Sequence, residues 1–98
     1  MKPYLKNFYT YHNITPGDFI PCAISGKMTQ NVHHISGRPM GNKSKRYDVP
    51  ENLIPVNYDT HILCEARIIS KQECKEALYK WAKTYGTPID YDLIMNFK

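Results

Sequence analysis

Five residues carry the chemistry this chain could do: the adjacent His33 and His34, Asn52 beyond a loop, and His61 and Glu65 four positions apart. In a strand, neighbouring side chains point to opposite faces, so a histidine pair can serve two purposes at one place. On a helix, residues four apart share a face. A helix presenting His61 and Glu65, opposite a strand presenting His33, can build a three-ligand metal site with open positions for water and substrate. Such a metal could hold a phosphate oxygen and stabilise a leaving oxygen. His34 is then left over, and a neutral imidazole near pH 7 suits a general base that deprotonates water. Plainer roles compete with each of these. A histidine pair is often no more than partly buried and hydrogen-bonded, Asn52 alone suits a turn or cap, and Glu65 equally suits a solvent-facing helix position.

The elements that must position these residues are short. Residues 1–14 are aromatic-rich and read as an extended arm or irregular cover. "TPGDFIPC" (15–22) allows about one helical turn between its glycine and proline. "CAISGKMTQNVHHI" (22–35) reads as two short strands joined by a turn at Ser25–Lys27. Residues 36–47, with two glycines and a proline, read as a loop, and "ENLIPV" (51–56) as a short apolar stretch. A helix is predicted from Asp59 to about Ile69. "SKQE" at 70–73 is a capping box, and Cys74, Ala77, Leu78, Trp81, Ala82 and Tyr85 follow at helical spacing as one apolar face. Lys71, Lys75, Lys80 and Lys83 lie off that stripe and read as a solvated face. Gly86 stops the helix, and "TPID" (87–90) predicts a last one with Pro88 in its first turn.

At 98 residues the chain is one domain's worth of sequence, and the element pattern implies an α+β fold. There is no long apolar run, and "MKPYLKNFYTYHN" is too polar and aromatic for a signal peptide, so no membrane partner and a cytoplasmic location are expected. Three cysteines, Cys22, Cys64 and Cys74, form no CxxC pair. That argues against a disulfide framework and for buried reduced thiols. The formal net charge is +4, and Lys27, Arg38, Lys43, Lys45 and Arg46 all flank the double histidine. This favours an anionic partner such as nucleic acid, with Arg38, Lys43, Lys45 and Arg46 as phosphate-contact candidates. His12 reads as a surface residue. Tyr9, Tyr11, Tyr47 and Tyr58 read as packing residues before base-stacking ones.

The order "CAISG" (22–26), "VHHI" (32–35) and "ENLIPVNYDTH" (51–61) resembles the HNH endonucleases and their ββα-metal (His-Me finger) motif. In that pattern a cysteine–glycine turn precedes a strand ending in a histidine pair, followed by a loop, "NL" and a helix with a further histidine. The resemblance covers residues 22–66, with the N-terminal arm (1–21) and the C-terminal helices (70–98) outside it. The loop between the histidines and Asn52 looks like that of phage and prophage members. The resemblance implies that His33 and His61 are metal ligands, with Glu65 a possible third. It also implies that His34 is the general base, and that Asn52 ties the loop to the motif and helps orient His34. The implied reaction is hydrolysis of a DNA phosphodiester, nicking or cutting both strands, to 5′-phosphate and 3′-hydroxyl ends. One divalent ion is implied, Mg or Mn for turnover, with Zn or Ni also suited to the donors. Four cysteines hold a structural zinc in some members. Here Ser25, Asn57 and Thr60 stand with Cys22 at those places, so no structural zinc is expected. The resemblance implies double-stranded or branched DNA as the substrate, and a nuclease this small often needs a larger protein partner for targeting. The alternative is a DNA-binding or phage accessory module on the same frame without catalysis.

Overall fold

A computed structural model of the chain describes residues 2–37 and 45–98. In chain order it has α1 (Pro3–His12), β1 (Asn31–His34), β2 (Leu53–Val56), α2 (Tyr58–Glu65), α3 (Lys71–Thr84) and α4 (Tyr91–Met95). The fold is α+β, with β1 and β2 in a two-stranded antiparallel sheet.

The register sets His33 opposite Ile54 and His34 opposite Leu53. Ile35 N–H donates to the Asn52 carbonyl at 3.0 Å, which fixes the hydrogen-bonded pairs at every second position. Pro55, opposite Val32, therefore falls at a non-bonded pair, and its missing N–H faces away from β1. Its carbonyl accepts from Ala23 N–H at 3.0 Å. The predicted hairpin within 22–35 does not form. Its first half makes only an isolated bridge, Pro21 to Met28. The reason is local: Cys22 Sγ accepts from Ile24 and Ser25 N–H, and Gly26 sits at φ 77°, so the chain curls. The four residues of β2 are all buried, which makes this apolar stretch the better partner for β1.

The N-terminal segment is a helix rather than an extended arm. Pro3 is pre-organised for a first turn, and Tyr4, Phe8 and His12 recur at four-residue spacing on one face. Phe8 stacks on Trp81 of α3, ring centroids 5.6 Å apart. His12 is buried, not on the surface. It meets Phe8 and Trp81 edge-on, each at 4.8 Å, and its Nδ1 accepts from Thr87 N–H at 3.0 Å. A Cβ on Gly86 would run into the His12 and Trp81 rings, which is why this close approach takes a glycine.

Burial pushes His12 down to about 4, which predicts acid sensitivity. The unfolded histidine, near 6.5, takes up its proton first as pH falls, so this contribution is full above pH 6.5 and is lost between 6.5 and about 4. His33, also lowered to about 4 by burial, acts in the same direction. For His12 the loss is at most about 3 kcal/mol. Urea unfolding at pH 7 and pH 4.5 checks this: the pH-dependent loss should be smaller in His12→Asn than in wild type. An equal loss in both would remove His12 from the cause.

Three other expectations shift. The helix α2 stops at Glu65, short of residue 69, where Arg67 turns left-handed at φ 61°. The last helix starts at Tyr91 with Asp90 as its N-cap, not at Pro88, because Thr87 and Pro88 are tied to α1. Thr87 N–H goes to His12, and the Pro88 carbonyl accepts from Tyr11 Oη at 2.9 Å. Lys75 is not part of a solvated face: its Nζ donates to the Met95 and Phe97 carbonyls at 3.0 and 2.9 Å and holds the end of α4.

The capping box of α3 forms in full, Ser70 with Glu73. Cys74, Leu78, Trp81 and Ala82 are buried, while Tyr85 at the end of the stripe is exposed. All three cysteines are buried and reduced, with Cys64 and Cys74 sulfurs 3.5 Å apart. No helix among the described residues is long and apolar enough to cross a membrane.

Candidate functional site

The helix α2 follows β2 after Asn57 alone, so it lies against β1 and brings its side chains to the histidine strand. Asn57 is held by two hydroxyls: Ser25 Oγ and Thr60 Oγ1 each donate to its Oδ1 at 2.6 Å. Cys22 lies in the same cluster, its sulfur accepting from Ser25 N–H at 3.3 Å. Burial pushes the Cys22 thiol up, and hydrogen bonds from Ser25, Ile24 and Asn57 outweigh it to leave a net lowering. Cys22, Ser25, Asn57 and Thr60 thus anchor the start of α2 to the turn before β1 by hydrogen bonding.

From that anchorage, His33 of β1 faces His61 of α2, ring centroids 5.0 Å apart. His33 is buried, and its Nε2 has no hydrogen-bond partner among the described residues. Burial, reinforced by the neighbouring His61, Arg67 and His34, keeps the His33 ring neutral and its lone pair available at neutral pH. His61 Nε2 lies 3.8 Å from Glu65 Oε1, one helical turn on, with the Glu65 side chain 65% exposed. An orphaned imidazole nitrogen beside a second imidazole suits a divalent cation, which takes neutral histidine nitrogens as ligands. As they stand, no group of three His, Cys, Asp or Glu among the described residues could hold a metal ion. The two imidazoles are in contact, and the carboxylate lies beside His61.

His34 is placed differently. Its ring stands edge-on to Tyr4 of α1 at 4.6 Å, and its Nε2 lies 2.8 Å from Asp48 Oδ1. Both side chains are largely enclosed, 12% and 4% exposed. The Asp48 main chain is fixed in turn, its carbonyl accepting from Asn7 Nδ2 at 2.8 Å. Sequence reasoning did not find Asp48, because its relation to His34 exists only once the loop returns.

Asn52 is almost wholly buried and spans the base of that loop. Its Oδ1 accepts from Ser36 N–H at 2.8 Å, and its Nδ2 donates to the Tyr47 carbonyl at 3.0 Å. These bonds tie the two ends of the loop to the sheet rather than touching the His34 ring. Lys45 and Arg46 are exposed on the returning limb, with the Arg46 guanidinium 5.0 Å over the Tyr47 ring. Arg38 and Lys43 lie outside the described residues. Arg67 is a second residue that sequence reasoning missed. Its Nη1 donates to the Ile35 carbonyl at 3.2 Å, directly after the histidine pair.

No protein-family model, curated protein or solved structure matches this chain.

Proposed function

We propose that this chain is a metal-dependent DNA endonuclease of the HNH type, built on a ββα-metal frame formed by β1, β2 and α2. One observation carries the reading: the partnerless Nε2 of buried His33 stands beside His61, while the adjacent His34 is held by a buried carboxylate. Two neighbouring histidines with such different surroundings suit two different jobs. Support also comes from the contact between Ser25, Asn57 and Thr60, three of the four positions where the resemblance puts zinc-binding cysteines.

A divalent cation on His33 and His61, with Glu65 on the same helix face, would supply charge to offset that growing on the phosphate oxygens. The rest falls to the chain's own groups. Asp48 fixes the orientation of the His34 ring through Nε2, and that ring takes the proton from water. The buried carboxylate then stabilises the imidazolium that forms. The water oxygen bonds to phosphorus, the bond from phosphorus to the 3′-oxygen breaks, and that oxygen takes up a proton from solvent, leaving 5′-phosphate and 3′-hydroxyl ends. Asn52 keeps the ends of the loop in register, and Lys45 and Arg46, with Arg38 and Lys43, supply contacts to the DNA backbone. The proposed setting is cytoplasmic, in the host cell of a phage or mobile element, with double-stranded or branched DNA as substrate and a larger protein as a possible targeting partner.

The test is a supercoiled plasmid incubated with purified protein in EDTA, then with Mg, Mn, Ni or Zn. Metal-dependent nicking or linearisation is expected. No cleavage in any metal, with a gel shift that fades as salt rises, would replace the nuclease with a DNA-binding module.

A further inference from the structure

Arg67 occupies a position where glycine is the ordinary choice. The helix α2 closes with Arg67 N–H donating to the Cys64 carbonyl at 3.1 Å and Ile68 N–H to the Leu63 carbonyl at 3.0 Å. This is a Schellman closure, and its left-handed residue is Arg67, at φ 61°. A side chain is disfavoured in that conformation, and the turn needs none to close. The side chain must therefore be explained by what it reaches.

It reaches back to the histidine strand. The bond from Nη1 to the Ile35 carbonyl ends on the residue that follows His33 and His34. The chain then turns away at Gly37, at φ 81°. Arg67 itself is exposed. A guanidinium carries five N–H donors in a planar fork, and the bond to Ile35 uses one. The fork is fixed at one corner beside the histidine pair, so the remaining donors suit the paired oxygens of a phosphate.

We propose that Arg67 is a phosphate-contacting residue for DNA lying across β1 and α2, held in place by the α2 closure and the Ile35 carbonyl. This rests on the nuclease reading. The experiment compares wild type with R67G, R67Q and R67K by melting temperature, plasmid nicking in Mg or Mn, and anisotropy of a short fluorescent DNA duplex titrated in EDTA across salt concentrations. R67G relieves the left-handed strain, so its melting temperature is expected at or above wild type. R67G and R67Q should both bind DNA several-fold more weakly, with the log–log salt slope reduced by about one, and both should nick more slowly. R67K, which keeps the charge without the fork, should fall between. R67G or R67Q with wild-type affinity and salt slope would make Arg67 a helix closure only and overturn the proposal, whatever the nicking assay shows for wild type. Wild-type protein that neither binds nor cuts DNA would overturn the nuclease reading along with it.

Discussion

His34→Gln is expected to lower metal-dependent nicking by roughly 10²–10⁴-fold, the range that a positioned general base contributes, while the protein stays folded. Glutamine is the informative substitution. Its amide nitrogen can still donate to Asp48 Oδ1, which accepts at 2.8 Å in the wild-type protein, but it cannot take a proton from water. His34→Ala is less clean, because it withdraws a partner from a carboxylate that is only 4% exposed. Loss of a buried partner of that kind costs stability on its own account. Asp48→Asn completes the set. It keeps the shape and removes the charge, so its own amide can compete for the ring nitrogen and favour the wrong tautomer. An activity loss in kcat at unchanged KM, with the melting temperature held, would separate that role from a purely structural one. If His34→Gln nicks plasmid as fast as wild type, His34 is not the base and the assignment of roles within the histidine pair is wrong.

What the sequence made legible was local. The capping box and apolar stripe of α3 lie within residues 70–85; the box appears as read, and the stripe does except at exposed Tyr85. His61 and Glu65 share a face because four-residue spacing on a helix guarantees it. The contacts that close the site are not local. Asp48 is fourteen residues from His34, and nothing in "KRYDVP" marks that aspartate from any other loop carboxylate. Arg67 lacks the glycine signal that announces a left-handed closure, so the sequence predicts α2 to run on to about Ile69 where it stops at Glu65. Segment 1–14 reads as an extended arm for a different reason. Its aromatic residues have no obvious partner until Trp81 is brought across to stack on Phe8 and enclose His12. The four-residue spacing of Tyr4, Phe8 and His12 lies in the sequence, but the Trp81 ring that makes it a packed face comes from a distant segment.

That joint is where the second large effect is expected. Trp81 is 3% exposed, stacks on Phe8, meets His12 edge-on, and donates from Nε1 to the Pro21 carbonyl at 2.9 Å. Trp81→Ala removes the packing and leaves that carbonyl without its donor, at a cost of about 3–5 kcal/mol. For a domain of this size, that is a large share of a total stability of about 5–15 kcal/mol, and a melting temperature lower by at least ~12 °C. Trp81→Phe keeps an aromatic ring against Phe8 and loses only the hydrogen bond and part of the volume, so it should fall by much less. The consequence reaches the site through α1. Tyr4 covers the His34 ring and Asn7 holds the Asp48 carbonyl, so loosening α1 from α3 frees the wall on which His34 is held. Trp81→Ala should therefore lose nicking activity at temperatures where most of it is still folded, and Trp81→Phe should retain it. If Trp81→Ala melts within about 5 °C of wild type, α1 is not docked through this ring, and the N-terminal helix is a loose cover rather than a support for His34.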